Sequence, residues 1–413
     1  MSTPTPLRIA VLCPHFEPDT APTGTVMTRI VHELAARGHE LHVVTSLPWY
    51  HSHAIEPGWE GRRVRRDTVA WGTITRVDPF PGDDKRNLLR RAVGFAGFSV
   101  LTGVTSWRGG EVDAVIAMSP PLTMGLTGWS THLVRRGPLV FNIQDVFPDA
   151  AVRTGAITNR WIIRAASVLE RLSYHRAAAV TVLSEDLRRN VAAKMRPSKR
   201  GRVHVIPNFV DVDAIRPARR DAPLRAELGI GDEPLVAYSG NVGFSQSLDL
   251  LLHAARHLTE VTFLISGEGS AKASLVEQAT GLTNVRFSPY QPAERLSELL
   301  GIADVHVVPL RAGLGNVSVP SKTYSILAAG RPILASIDPD TEVPRILDAS
   351  GAGVTVPPDD PERFTAALRD LLADPAALVA RGAAGRAWVE SAASPAAVAE
   401  AYEQLILGLR RGR

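Results

Sequence analysis

The sequence predicts an α/β protein made of two Rossmann-like domains, each a doubly wound parallel sheet, that face each other across a cleft. Three observations predict this fold. The chain has 413 residues, more than one core usually holds, so two domains are expected. Short β-branched runs alternate with helical patterns, as in parallel sheets that are covered on both faces. The alternation then starts again after a polar, proline-containing stretch in the middle of the chain.

The first half of the chain contains six short apolar runs that predict buried strands. One intervening segment, 25–37, has the apolar spacing of a helix, and Gly38 follows as its stop. The predicted strands are 7–13, 40–46, 112–118, 138–143, 177–184 and 202–207. Residues 1–207 are therefore predicted to form the N-terminal domain.

The second half repeats the pattern and predicts the C-terminal domain at 235–390. Residues 208–234 are expected to link the domains, and an apolar stripe in the final helix, within 391–413, suggests that it crosses back to the first domain. The predicted strands are 233–240, 261–267, 284–289, 304–310, 331–336 and 352–357.

The composition argues against several classes of protein, including disordered, disulfide-rich and membrane-spanning ones. Apolar residues make up 45% of the chain and charged residues 21%, which is typical of a folded globular protein. The single Cys13 excludes an internal disulfide framework and a cysteine-based zinc site, and it fits a reducing cytoplasm. We expect neither a signal peptide nor a spanning helix, because no apolar run is long enough. No aromatic residues interleave with the basic clusters, so nucleic acid is not an expected partner.

Basic residues are concentrated before a short apolar segment that runs from Ala92 to Val104. This arrangement suggests peripheral contact with anionic lipid at the inner face of the cell membrane. The alternative is a helix buried in the N-terminal domain with a solvated basic end. The basic residues are Arg62, Arg63, Arg65 and Arg66, followed by Lys85, Arg86, Arg90 and Arg91.

Two loops that follow predicted strands contain glycines. Ligands of open α/β sheets bind beyond the carboxyl ends of the strands, where such loops lead into helices. Gly240 and Gly243 follow the first strand of the second domain and would let backbone N–H groups approach a phosphate. Gly267 and Glu268 follow the next strand. Neither loop has the full dinucleotide fingerprint or a Walker A ending, and ordinary turns remain an alternative.

The segment 316–336 predicts a helix with an anion seat at its start. Pro320 suits the first turn, and Gly330 with Pro332 ends the helix before a buried strand. Lys322 in the first turn adds a cation to the unpaired N–H groups of the helix start. The alternative is an ordinary helix cap of an α/β domain.

Taken in order, five motifs resemble the donor domain of a retaining GT-B glycosyltransferase. They are SGNVG, SGEGSAK, ADVHVVPL, VPSKTYSILAAGRPILA and SGAGVTVPPDD. The similarity is to family 4, in its WcaI/WbuB-like branch of bacterial surface-polysaccharide enzymes. The opening strand-loop-helix and NIQDVFPDAAVRTGAI at 142–157 are similar to the N-terminal half of that branch.

The resemblance implies a reaction and its partners. A hexosyl or N-acetylhexosaminyl group would move from a nucleotide-diphosphate donor, linked to UDP or GDP, to a polyprenyl-linked or other glycan acceptor. Neither a metal nor another cofactor would be needed. No Asp-X-Asp motif stands out as a metal site for a nucleotide sugar.

The resemblance also assigns residues. Asp145, Lys322 and Arg311 would lie nearest to the chemistry, with Asp145 or a donor phosphate oxygen taking the acceptor proton. The acceptor-side candidates are His15, Glu17 and Gln144. The donor-binding candidates are Gly24, Gly240, Asn241, Gly243, Gln246, Gly267, Glu268, Ser321, Lys322 and Glu342.

The sequence departs from the family pattern at four positions. Asn241 and Gln246 stand where many members have Arg and Lys, and Val317 and Ser325 stand where the family has two glutamates. These differences leave two alternatives open. One is a non-catalytic GT-B partner subunit that binds donor or glycolipid, and the other is a nucleotide-sugar epimerase.

Overall fold

The computed structural model describes residues 6–19, 21–50, 54–80, 88–149, 152, 157–315 and 320–411. The chain divides into two compact units. The first is Met1–Asn208 with Val398–Arg413, and the second is Phe209–Ala397.

The first unit is built on an eight-stranded sheet. Its strands are β1 (Arg8–Leu12), β2 (Glu40–Ser46), β3 (Val64–Val69), β4 (Gly72–Val77), β5 (Ala114–Ser119), β6 (Leu139–Ile143), β7 (Ala179–Val182) and β8 (Val203–Val205). Their order is β3-β4-β2-β1-β5-β6-β7-β8, and every pair except β3–β4 is parallel. Val11 of β1 lies opposite Val43 of β2 and Ile116 of β5, so the centre of the sheet is apolar on both sides of β1.

Helices cover both faces of this sheet. They are α1 (Pro22–Ala36), α2 (Leu88–Ser106), α3 (Met124–Arg135), α4 (Arg160–Arg176) and α5 (Glu185–Ala193), with a 3-10 helix at Pro197–Arg202. Ser184 caps α5 by accepting the N–H of Leu187, and Asn159 caps α4 in the same way.

Sequence reasoning did not predict β3 and β4. Both carry arginine and threonine in place of a continuous apolar run, and β3 is the edge strand with mostly exposed side chains. Arg65 and Arg66 of the predicted basic cluster lie in β3. Charged residues on an edge strand discourage pairing with another chain, which gives this cluster a structural use.

The second unit has a six-stranded, fully parallel sheet. Its strands are β9 (Leu235–Ser239), β10 (Thr262–Ser266), β11 (Val285–Ser288), β12 (Val305–Pro309), β13 (Ile333–Ser336) and β14 (Gly353–Val356). Their order is β11-β10-β9-β12-β13-β14, so the chain reverses direction across the sheet between β9 and β12. That position is the topological switch point, where open α/β sheets bind ligands.

Helices also cover this second sheet. They are α6 (Pro223–Glu227), α7 (Asp249–His257), α8 (Lys272–Gln278), α9 (Leu296–Gly301), α10 (Lys322–Ala328), α11 (Glu342–Ser350), α12 (Pro361–Leu372) and α13 (Pro375–Ala392). The segment that sequence reasoning took for a linker belongs to this unit, because Val210 and Ile215 are buried in its core.

The last helix, α14 (Pro395–Arg411), packs on the first unit. The hydroxyl of Tyr402, which is fully buried, accepts a hydrogen bond of 2.7 Å from Nδ2 of Asn142. The carboxylate of Glu403 is also buried and pairs with Arg37. These contacts join the end of the chain to β6 and α1.

The prediction of two parallel-sheet α/β domains is confirmed. Each of the twelve predicted strands is present. Among the described residues, no helix has the length and apolar character that crossing a membrane requires.

Candidate functional site

A cavity of about 450 Å³ opens at the switch point of the second sheet. The ends of β9, β10 and β12 form its floor, and α9 and α10 form its walls. The polar lining consists of Ser239, Gly240, Asn241, Gln246, Ser266, Gln291, Ser321, Lys322 and Ser325. The apolar and aromatic lining consists of Tyr290, Leu296, Leu299, Leu300, Val308, Pro309, Leu310, Pro320 and Ile326.

Lys322 is the cation in this lining. It begins α10, and its ammonium lies 3.8 Å from the centroid of the Tyr238 ring. Nζ also donates a hydrogen bond of 2.6 Å to the Tyr238 hydroxyl. Burial lowers the pKa of Lys322 to about 7, and among the described residues no carboxylate beside it compensates the charge. An anion in the cavity would supply that compensation.

Tyr238 connects Lys322 to the loop after β9. Its hydroxyl accepts from Lys322 and donates a hydrogen bond of 2.6 Å to the carbonyl oxygen of Asn241. Burial raises the pKa of Tyr238, so this hydroxyl stays protonated and keeps both roles. Sequence reasoning missed Tyr238, because within the run LVAYSG it was taken only as a strand residue.

The loop after β9 turns at two glycines. Gly240 has φ +141°, and a Cβ there would lie 3.0 Å from Nζ of Lys322. The absence of a side chain therefore lets the lysine reach the loop. The N–H of Gly243 donates to Oε1 of Gln246 at 3.1 Å, which closes the turn and places Gln246 and Asn241 at the cavity.

The loop after β10 packs backbone against backbone with the loop after β9. At Gly267, φ is +144°, and a Cβ would lie 1.9 Å from the carbonyl oxygen of Gly240. The carbonyl of Glu268 accepts the N–H of Val242 at 2.9 Å. The Glu268 side chain is half-exposed and pairs with Lys272 at 2.6 Å. Gly267 and Glu268 thus pack behind the loop after β9 and are not among the residues that line the cavity.

Ser321 and Ser325 both face the cavity from the start of α10. Ser321 precedes the helix without a side-chain capping bond, and the N–H of Tyr324 donates to its carbonyl. Ser325, which stands where the resemblance implies a glutamate, lines the cavity. Val317, the other such position, lies outside the described residues.

Arg311 does not line the cavity. Its guanidinium donates to the carboxylates of Asp249 and Asp359, at 3.0 and 3.3 Å, and to the carbonyl of Phe244 at 3.0 Å. Partial burial alone would raise the pKa of Asp359. The pKa is lowered overall, because Ser247 and a backbone N–H donate hydrogen bonds to the carboxylate and Arg311 adds a positive charge beside it. Two carboxylates thus hold Arg311 against the loop after β9, and its expected role as a cation for phosphates stays a prediction.

Glu342 also lies outside the cavity lining. It is the first residue of α11, and its carboxylate pairs with Arg345 at 3.0 Å. It lies close enough to Tyr324 of α10 to add to the effect of burial, which raises the pKa of that phenol.

In the first unit, His15 and Gly24 lie together after β1. Nδ1 of His15 is 2.7 Å from Oδ2 of the buried Asp19, and the imidazole stacks on Trp49 with ring centroids 5.7 Å apart. A Cβ on Gly24 would lie 2.8 Å from Cβ of His15, so only glycine permits this packing. Glu17 turns toward α1, where its carboxylate is 2.9 Å from Nε2 of His32.

Gln144 and Asp145 follow β6, two strands along the same sheet edge from β1. Gln144 is buried and donates to Oδ1 of Asn142 at 2.8 Å. Asp145 is exposed to solvent at the residue level. Neighbouring atoms nevertheless remove part of the hydration of its carboxylate, which raises its pKa. A carboxylate with a raised pKa is a better proton acceptor than an ordinary one.

In the described part of the chain, no group of three or more His, Cys, Asp and Glu side chains is arranged to hold a metal ion.

Comparison with known proteins identifies the family. Residues 23–208 match the glycosyl transferase 4-like domain, and residues 233–374 match the glycosyl transferases group 1 family. The chain belongs to the family 4 glycosyltransferases. The predicted resemblance is thereby confirmed.

A relative agrees with this family, and solved structures show the fold. The colanic acid biosynthesis glycosyl transferase WcaI of Escherichia coli K12 is 27% identical over 381 residues, covering 89% of this chain and 92% of the relative. Sucrose-phosphate synthase of Thermosynechococcus elongatus superimposes with a TM-score of 0.71 at 19% identity over 98% of this chain and the whole of the other. HepE of Anabaena, solved with UDP-glucose, superimposes with a TM-score of 0.67 at 14% identity over 97% of this chain and the whole of the other. This glycosyltransferase therefore has the GT-B fold.

Proposed function

We propose that the protein is a retaining glycosyltransferase that transfers a hexosyl or N-acetylhexosaminyl group from a UDP- or GDP-linked sugar to a lipid-linked or other glycan acceptor. The observation that carries the proposal is the partly buried Lys322 at the switch-point cavity, next to a glycine loop. Structural neighbours such as HepE were solved with UDP-glucose, which supports a nucleotide-sugar donor.

The cavity offers two chemically different walls for such a donor. The apolar wall, with Leu296 and Leu299 and the exposed ring of Tyr290, suits the flat face of a base. The polar wall, with Lys322, Asn241 and Gln246, suits a diphosphate. The diphosphate would provide the charge partner that Lys322 lacks among the described residues.

Leaving-group stabilisation is the main chemical task. When the bond from the anomeric carbon to the diphosphate breaks, negative charge grows on the phosphate oxygens while the sugar becomes oxocarbenium-like. A fixed ammonium and backbone N–H groups stabilise that charge best in a site with little water. Removal of one preorganised donor of this kind raises the barrier by about 3 kcal/mol.

Asp145 is our first candidate for the base that accepts the proton of the acceptor hydroxyl, with a donor phosphate oxygen as the alternative. His15 is a second protein candidate, because Asp19 fixes its Nδ1. Asp145→Asn and His15→Asn separate these candidates. The variant that lacks the base loses turnover by about 100-fold or more while donor binding is kept. Unchanged turnover in both would leave the phosphate oxygen.

We also propose that the enzyme works at the inner face of the cell membrane in surface-polysaccharide or glycolipid synthesis. WcaI, to which the chain is similar over most of its length, is named for colanic acid biosynthesis. Arg62 and Arg63 are exposed beside β3, and Val100 and Val104 are exposed on α2. Lys85 and Arg86 lie outside the described residues, as do the side chains of Arg90 and Arg91.

A donor panel tests the proposal. Purified protein is incubated with UDP- and GDP-sugars and a polyprenyl-diphosphate-linked sugar, and the products are followed by nucleoside-diphosphate release and lipid mass spectrometry. We expect one donor to give both free nucleoside diphosphate and a heavier lipid product. Binding without release for every donor would favour the non-catalytic partner subunit, and a changed sugar that stays on its nucleotide would favour the epimerase.

A further inference from the structure

The outward face of α4 carries an apolar row that no part of the described chain covers. Trp161 is 65% exposed, Val168 62% and Leu172 38%. Their spacing places all three, with Ala165, along one line of the helix. Leaving large apolar side chains in water is unfavourable, and a contiguous row of them marks an interaction surface.

A row of cations runs along one side of this apolar row. Arg160, Arg164 and Arg171 are exposed, and in the described residues no carboxylate pairs with any of them. Glu170, the one acidic residue of α4, is instead turned into the protein, where Lys194 and Tyr174 bind its carboxylate. The exposed face of the helix is therefore purely apolar and positive.

A basic pocket of about 400 Å³ lies at the carboxyl end of the same face. It is lined by Arg171, Leu172, His175, Arg176, Arg196 and Lys199. Two of its cations, Arg171 and Arg176, belong to α4. Arg196 directly precedes the 3-10 helix Pro197–Arg202, and Lys199 lies within that helix. The pKa of Lys199 is lowered first by partial burial and then by the charges of Arg202, Arg196 and Arg176. An anion in this pocket would relieve the repulsion between these cations.

We propose that the face formed by Trp161, Val168 and Leu172 with Arg164 and Arg171 docks on an anionic lipid bilayer. The apolar row enters the membrane interface, and the basic pocket takes a phosphate of a lipid headgroup. Trp161, an aromatic residue with an N–H group, suits the boundary between acyl chains and headgroups. A helix with one apolar row beside unpaired arginines is typical of interfacial binding. Charge complementarity fits an anionic bilayer, because the described side chains on this face carry positive charge and no negative charge.

This surface differs from the basic cluster at 62–66. That cluster lies at the β3 edge of the first sheet, whereas α4 packs against α3 and β6. In the chain, α4 follows Gln144 and Asp145, the acceptor-side candidates, so docking here would bring this part of the first unit to the membrane.

Vesicle flotation tests the proposal with the full-length protein. Vesicles of phosphatidylcholine are compared with vesicles that also contain phosphatidylglycerol, at low and high salt. We expect binding to the anionic vesicles that weakens with salt. Trp161→Ser/Val168→Ser should lower the partition coefficient about tenfold or more, because both side chains leave the interface. Arg164→Gln/Arg171→Gln should lower it about 25-fold, since each surface arginine contributes about fivefold.

Two control variants match these changes in the second unit. Val379→Ser removes an apolar side chain that is 71% exposed, and Arg256→Gln/Arg369→Gln removes two exposed positive charges. Both should bind vesicles as the wild type does. Wild-type binding by either α4 variant would overturn the proposal, as would equal binding to neutral vesicles. A dimer in solution that Trp161→Ser/Val168→Ser dissociates would also overturn it, by making this face a subunit interface. Flotation needs no donor and no turnover, so its outcome is separate from that of the donor panel.

Discussion

The hydroxyl of Tyr238 lies 2.6 Å from Nζ of Lys322 and 2.6 Å from the carbonyl oxygen of Asn241. One phenol thus holds the cation of the cavity and the backbone of the glycine loop in a fixed relation. The three residues come from two separate segments of the chain, which the fold brings together. Much of the proposed donor site depends on this arrangement.

Tyr238→Phe should weaken donor binding without removing the cation. The ring still lies under the ammonium, but the Asn241 carbonyl loses its donor and Lys322 loses its acceptor. An unpaired buried polar group costs about 1–3 kcal/mol, so we expect the donor KM to rise about tenfold. Tyr290→Phe is the matched control, because the Tyr290 hydroxyl makes only a 3.5 Å contact with Glu268. Equal KM values for the two variants would contradict the role given to Tyr238.

Donor binding should be accompanied by proton uptake above neutral pH. Lys322 has a folded pKa near 7, below its ordinary value of 10.5, because burial disfavours the charged form. A bound diphosphate favours that form and raises the pKa again. At about pH 8 the wild type should therefore take up a proton when nucleoside diphosphate binds. Proton uptake is measured by titration calorimetry, because it makes the observed binding enthalpy depend on the ionisation enthalpy of the buffer. The same enthalpy in all buffers would show that Lys322 does not meet the phosphates.

The same shift predicts how stability changes with pH. Between about pH 7 and 10.5 the unfolded chain holds a proton on Lys322 that the folded apo-protein has partly released. The free energy of unfolding contributed by this group consequently rises with pH across that window. Lys322→Met should remove this part of the slope, which denaturant unfolding at several pH values measures.

Gly267→Ala should displace the loop after β9, which contains Gly240. Its methyl group would meet the Gly240 carbonyl at 1.9 Å, and its backbone has φ +144°. Steric overlap and backbone strain together predict a loss of about 3 kcal/mol or more in the free energy of unfolding. Gly281→Ala is the control, because Gly281 also has positive φ, +87°, but no atom within 4 Å of a Cβ. It should lose only about 1 kcal/mol. Comparable losses, measured by denaturant unfolding, would argue against the close packing of the two loops.

The fold could be predicted because its strands are continuous β-branched runs buried on both faces. The strands at 235–239 and 305–309 are buried along almost their whole length, and they pair with each other in parallel. The hairpin of β3 and β4 escaped prediction, since its polar, half-exposed strands at the sheet edge carry no apolar run. Local sequence holds little information about an edge that faces water.

Within the site, sequence reasoning could find residues but not their partners. Lys322 was found from the chemistry of a helix start, and Asn241 and Gln246 from the family resemblance. All three line the cavity. Arg311 has the right charge and position in the chain, but Asp249 and Asp359, which neutralise it, are far away in sequence. Tyr238 became important only through the fold, which places its side chain against Lys322 of α10. Such pairings depend on tertiary contacts that a single sequence does not reveal.

The central claim is that Lys322 binds the diphosphate of a sugar nucleotide in the second unit. Isothermal titration of UDP and GDP against the wild type, Lys322→Met and Lys272→Met tests it most directly. Lys272 lies in α8 and pairs with Glu268 outside the cavity lining, so it controls for loss of one lysine. We predict that one nucleotide binds the wild type and Lys272→Met equally, and that Lys322→Met binds it about 100-fold more weakly. Equal affinity for Lys322→Met and the wild type would contradict the account.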